Sequence, residues 1–204
     1  MLTDAAFTLG GTPTTWAELL GFLTGVLNVW LVARQRISNW PVGIVNVALL
    51  MLVFWTSGLY ADAGLQILYV LLGLYGWWSW LYGGQHRTRL VVTGTSGAEW
   101  AALAISGLAL TAALWLFLDR ATDSTVPFPD AVTTALSLLA TYGQTRKRWE
   151  SWWIWIAADL IYIPLYAYKG LYLTAALYLI FLTLCVFGLR QWRAARTSPA
   201  LVAA

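Results

Sequence analysis

The stretch GLYADAGLQILYVLLGLYGWWSW, residues 58–80, overlays GLYLTAALYLIFLTLCVFGLRQW, residues 170–192, with eight identities in 23 positions. Apolar helices share leucines by chance, so the weight rests on the ends. Gly58-Leu59-Tyr60 falls on Gly170-Leu171-Tyr172, and Gly76 and Trp80 fall on Gly188 and Trp192. Upstream, Trp30 falls on Tyr142, Arg36 on Arg148 and Trp40 on Trp152. The chain therefore contains one unit twice, and each copy is too apolar to stand in water.

Composition sets the solvent. Of 204 residues, 60% are hydrophobic and 10% charged, and the mean hydropathy is +0.67. Soluble domains have about 25% charged residues. A water-soluble fold of this composition would lack the polar groups to cover its surface, which excludes an extracellular enzyme, a nucleic-acid-binding module and a disordered regulator. The pI near 9.1 reflects basic tufts between apolar runs rather than a basic patch, so no nucleic-acid partner is expected. Cys185 is the single cysteine and His86 the single histidine, so no disulfide or Cys/His metal cluster is expected. Residues 1–15 carry Asp4 and no Lys or Arg, unlike the cationic start of a cleaved signal peptide.

A helix crosses about 30 Å of hydrocarbon with roughly 20 residues. Seven stretches qualify: 16–33, 40–57, 63–82, 100–118, 130–144, 151–168 and 171–189. The fifth is the shortest. The fold class expected is an all-α integral membrane protein, with a first three-helix repeat at 16–82, a linker helix at 100–118 and a second repeat at 130–192. Residues 1–15 form an outer segment, 83–99 a cytoplasmic loop, 119–129 an outer loop and 193–204 a cytoplasmic tail. An odd number of helices between the triplets leaves both in one orientation, as parallel repeats about an axis along the membrane normal.

Charge tests that count. With seven crossings, Arg34, Arg36, Arg87, Arg89, Arg146, Lys147, Arg148, Arg190, Arg193 and Arg196 share one side, and only Arg120 and Lys169 lie on the other. A missed helix would mix the tufts. The positive-inside rule then puts the carboxyl terminus in the cytoplasm and the amino terminus outside.

Polar residues inside the spans mark candidate functional faces. Trp152, Trp155, Asp159, Tyr162 and Tyr166 follow steps of three and four and share one helix face. Gln66, Tyr69, Gly73, Gly76 and Trp80 do the same in the third span, and Asn28 and Asn46 add amides to the first two. Most of the fourteen tryptophans suit the interfacial belt. For Gln66, Tyr69 and Trp155, ligand contact and helix packing are both open. Asp159 stands apart, because an acid deep in a span costs about 2.5–3.5 kcal/mol on insertion scales and marks function by default. Tyrosine hydroxyls that tie it down for packing alone are the other reading. Pro164 removes a helical hydrogen bond to the carbonyl of Leu160, which predicts a kink beside it. No G-x-x-x-x-G-K-[ST], H-E-x-x-H or nucleophile-elbow motif is present, so neither an ATP motor nor an enzyme is expected.

These pieces together resemble the PnuC family of bacterial vitamin-precursor transporters. The likeness is carried by Trp40-Pro41-Val42-Gly43-Ile44 through Asn46, Gly58-Leu59-Tyr60-Ala61-Asp62 through Gln66 and Tyr69, Tyr75-Gly76-Trp77-Trp78, and Trp152-x-x-Trp155-x-x-x-Asp159. It spans residues 16–192. The resemblance implies a three-plus-one-plus-three fold similar to that of the SWEET sugar transporters. It also implies facilitated uptake of nicotinamide riboside across a bacterial cell membrane, without a cofactor, and a cytoplasmic kinase that traps the vitamin. A homo-oligomer, a trimer, is implied as well. The family's binding region matches Gln66, Tyr69, Trp152, Trp155 and Asp159, with Asn46 available to bond the substrate and Tyr178 lying over Gln66 in the second repeat. A flat cationic ring suits indole faces. Thiamine and riboflavin also offer flat rings and polar tails, so three vitamins remain open, and a non-transporting membrane assembly protein is the alternative from another class.

Overall fold

The computed structural model describes residues 2–9, 12–56, 60–122, 124–168 and 172–197. Gly58-Leu59 and Gly170-Leu171, which open the repeated segment, and Lys169 lie outside the described residues.

Among the described residues, seven α-helices follow a short hairpin. They are α1 (Trp16–Ala33), α2 (Asn39–Thr56), α3 (Tyr60–Tyr82), α4 (Gly97–Ala121), α5 (Pro127–Thr145), α6 (Ser151–Tyr168) and α7 (Tyr172–Thr197). The bounds of α1 and α6 are those read from sequence. The fifth span is longer than expected, because Pro127 and Pro129 lie in the first turn of α5, where a missing N–H costs nothing. The linker α4 begins at Gly97, held by a capping box in which Ser96 and Glu99 satisfy each other's backbone N–H. It reaches Ala121, beyond the expected 100–118 at both ends. Beyond Leu189, α7 continues as a helical tail carrying Arg190, Arg193 and Arg196.

Ahead of α1 the described residues form a hairpin. Strands β1 (Ala5–Leu9) and β2 (Thr12–Thr15) pair antiparallel. Trp16 and Ala17 donate their N–H groups to the carbonyls of Asp4 and Leu2, and Thr15 caps α1 in a capping box with Glu18. Two strands of four and five residues give too little alternation to be read from sequence, and a lone hairpin is stable here because α1 anchors it.

Among the described residues, four helical stretches are long and apolar enough to cross a bilayer on composition alone: α1, α2, α4 and residues 174–197 of α7. The polar α5 lies deeper than these, with Ala131, Thr133, Ala135, Ser137, Leu138, Ala140 and Gly143 buried along its length. Helix α1 packs on α2 and α2 on α3; α5 packs on α6 and α6 on α7; α1 meets α7, α3 meets α5, and α4 leans on α5. Exchanging α1 with α5, α2 with α6 and α3 with α7 leaves this pattern of the six helices unchanged.

The turns repeat as well. Arg34 N–H bonds the Trp30 carbonyl at 3.0 Å, and Arg146 N–H bonds that of Tyr142 at 3.2 Å. Arg36 bonds Leu31 and Arg148 bonds Gly143, both at 2.9 Å. Gln35 and Lys147 occupy the same left-handed position, with φ of 55° and 49°. The α3–α4 loop rests on the second of these turns. Thr93 N–H bonds the Lys147 carbonyl, the Glu150 carboxylate accepts the N–H and hydroxyl of Thr95, and Arg148 pairs with Glu99 at 2.6 Å. The Lys147 side chain turns inward over the Trp80 ring, 4.4 Å from its centroid. Burial lowers its pKa to about 8, and Arg89 adds to the effect.

Candidate substrate site

Helix α6 carries the row read from sequence with Trp152 and Asp159 buried and Trp155, Tyr162 and Tyr166 half-buried. Trp152 is 0% exposed and Asp159 is 2% exposed. Three polar atoms along this row, Trp152 Nε1, Trp155 Nε1 and Asp159 Oδ2, are buried without a protein hydrogen-bond partner. An unmade hydrogen bond of a buried group costs about 1–3 kcal/mol, and more for a charged one. Two donors and an acceptor left open on successive turns of one helix are a ready set of contacts for a polar ligand. The thiol of Cys185, on α7, is the neighbour of the Asp159 carboxylate.

Other elements supply further polar groups. The Tyr69 hydroxyl of α3 lies beside Ser137 of α5, and Tyr162 of α6 lies beside Thr133 and Ser137. Gln66, one turn before Tyr69, is 6% exposed. Tyr178 packs against Tyr162 and Tyr166, with ring centroids 4.6 and 5.1 Å away. Thr133 and Ser137 were not among the residues singled out from sequence; their spacing of four, continued by Thr141, is the available signal. Trp80 entered that reading as a repeat marker and as the end of the α3 row, and Trp192 only as a repeat marker; both sit in the same core as Trp152.

Two of the predicted residues do additional work. Asn46 donates its amide to the Gly21 carbonyl at 2.6 Å and to the Thr24 hydroxyl at 3.0 Å, so it clamps α2 to α1. Trp152 packs edge-on against Trp192, with ring centroids 5.5 Å apart, and its ring covers Gly188.

Several long apolar helices packed around a polar row are the architecture of a multi-pass membrane protein. The family described as "Nicotinamide mononucleotide transporter" matches residues 15–194, and the chain belongs to that family. It is a membrane transporter of the PnuC kind and not an enzyme. It is similar to the nicotinamide riboside transporter PnuC of Escherichia coli (strain K12), with 26% identity over 90% of this chain and 87% of that protein. It is also similar to the riboflavin/roseoflavin transporter RibM of Streptomyces davaonensis, with 30% identity over 94% of this chain and 91% of that protein. A crystal structure of the vitamin B3 transporter PnuC superposes with a TM-score of 0.70 and 25% identity, covering 88% of this chain and 81% of that one.

Proposed function

We propose that this transporter carries nicotinamide riboside into the cell down its gradient, and that a cytoplasmic kinase traps the vitamin by phosphorylation. The observation that carries the reading is the open row on α6. Trp155 offers an indole face, Trp152 and Trp155 offer free N–H groups, and the Asp159 carboxylate offers negative charge to a cationic ring. Gln66 and Tyr69 serve the ribose hydroxyls and the carboxamide, Asn46 holds the α1–α2 wall, and Tyr178 lies on the path. Riboflavin is the second reading, favoured by the 30% identity to a riboflavin transporter. Uptake of labelled vitamin by proteoliposomes, with the two vitamins and thiamine in competition, separates these readings and a non-transporting protein, which takes up none.

The proposed architecture is two parallel repeats, 16–82 and 130–192, joined by the linker at 100–118. The exchange-invariant packing supports it, as do the duplicated turns. Loop 83–99 and tail 193–204 are assigned to the cytoplasm, and 1–15 and 119–129 to the outside, on the ten-to-two division of Lys and Arg. A homo-oligomer, a trimer, completes the proposal. In a Cys185→Ser background, Thr125→Cys is expected to react with an impermeant thiol reagent in intact cells, and Gln85→Cys only after lysis. The opposite pattern would reverse the orientation.

Transport is expected to be uniport. Coupling to protons or sodium needs an ion site whose occupancy changes in the cycle, built from ionisable groups or unwound backbone. Asp159 is the one acid deep in the predicted spans, and a cationic substrate uses its charge. At zero membrane potential, vesicles without kinase should fill to the outside concentration and stop, whatever pH or sodium gradient is imposed. Accumulation above that level, lost in Asp159→Asn, would recast the carboxylate as a coupling site.

A further inference from the structure

We infer that Trp80 and Trp192 form the gate that closes the substrate path at the arginine-rich end of the bundle. Both indoles are buried, and they meet each other between the two repeats with centroids 5.8 Å apart. Each is braced edge-on by a tryptophan of its own repeat: Trp80 by Trp40 at 5.3 Å and 88°, Trp192 by Trp152 at 5.5 Å and 90°. Each then reaches across to the other repeat. Trp80 Nε1 donates to the Gln144 carbonyl at 2.9 Å, and Trp192 Nε1 donates to the Val32 carbonyl at 3.1 Å. The two acceptors lie 112 residues apart, as do the two donors, so one contact is made twice. Gln144 and Val32 stand in the last turns of α5 and α1, where each carbonyl also accepts the N–H of the residue three positions on, Lys147 and Gln35.

A transporter of two repeats must separate them at one end while the other stays shut, and this joint suits that task. It consists of two hydrogen bonds, ring contacts and one cation over a ring, and such contacts hold a state by the modest margin that leaves the alternative populated. It also touches the substrate row, since Trp152 braces Trp192 and Trp155 packs on the same cluster. Cys185 lies within that cluster beside Asp159, two turns of α7 before Trp192. The joint is not fully symmetric: Lys147 lies over Trp80, whereas its counterpart in the first repeat is Gln35. The inference rests on the transporter class and is independent of the vitamin.

Cys185 is the chain's own reporter. In oriented vesicles, a small hydrophilic thiol reagent applied to the arginine-rich face is expected to modify Cys185 about fivefold faster in Trp80→Phe and in Trp192→Phe than in the unaltered chain, the factor for one net hydrogen bond. Reaction from the opposite face should not change, nor should Trp115→Phe on α4 alter either rate. Lys147→Gln, which gives the second turn the residue that Gln35 supplies in the first, keeps all four rings and tests the same gate if a tryptophan variant does not fold. It should speed the reaction about two- to fivefold by removing the cation from the Trp80 ring. Vitamin exchange should accelerate in these variants while half-saturation stays within twofold. Unchanged Cys185 reactivity in the folded variants would overturn the gate. Faster reactivity with no exchange of nicotinamide riboside would keep the gate and remove the vitamin.

Discussion

Gly76→Ala and Gly188→Ala are each expected to lower the thermal stability of the detergent-solubilised protein by several degrees, whereas Gly64→Ala leaves it unchanged or raises it slightly. A Cβ at Gly76 would lie 2.1 Å from Cη2 of Trp40 and 2.5 Å from two more atoms of that ring; one at Gly188 would lie 2.5–2.6 Å from the Trp152 ring. Atoms cannot share that space, so the ring must move. Neither ring is free, because Trp40 is packed on Trp80 and Trp152 on Trp192. Forcing extra volume into a filled core costs about 1–3 kcal/mol and sometimes more. For a chain of this size each kcal/mol corresponds to about 2–4 °C. At Gly64 a Cβ meets nothing within 4 Å, and alanine is the better helix former by about 1 kcal/mol. A Gly188→Ala protein as stable as the unaltered chain would show that Trp152 is not wedged against α7.

The same pair shows what can be read from a single sequence. Gly76 and Gly188, with Trp80 and Trp192, stood out at the repeat offset because an internal copy acts as a small alignment: what both copies keep is what both need. The ends of α1 and α6 were legible for a local reason, since Arg34 and Glu150 mark where the apolar runs stop. Partner choice was not legible. Asn46 reads as one more amide in a span, and only the neighbourhood of α1 shows that Gly21 and Thr24 take its hydrogens. The crossed bonds of Trp80 and Trp192 were hidden for a related reason, because their acceptors are backbone carbonyls, which no side-chain pattern reveals. The row on α6 was legible as a face, but its open hydrogen-bonding atoms emerge only when every neighbouring helix is in place.

Trp155→Ala is expected to weaken nicotinamide riboside binding by about 1–3 kcal/mol, the loss found when a stacking aromatic is removed from under a base. Gln66→Ala should cost about 0.5–1.5 kcal/mol, as for a lost hydrogen bond, and Trp115→Ala on the linker should cost nothing measurable. The indole of Trp115 is exposed and packs only against Phe128 among the described ring contacts, so it reports on folding without touching the row. Asp159→Asn then divides the two vitamin readings. The amide keeps the shape and polarity of the carboxylate and removes its charge. A cationic pyridinium loses an attraction that a water-poor site does little to screen, whereas the neutral isoalloxazine of riboflavin has no net charge for the carboxylate to attract. Isothermal titration with both vitamins should therefore show a large fall in nicotinamide riboside affinity and little change for riboflavin. Equal losses for the two would mean that Asp159 acts on the fold or on a shared hydroxyl contact, and the charge argument for the substrate would fail.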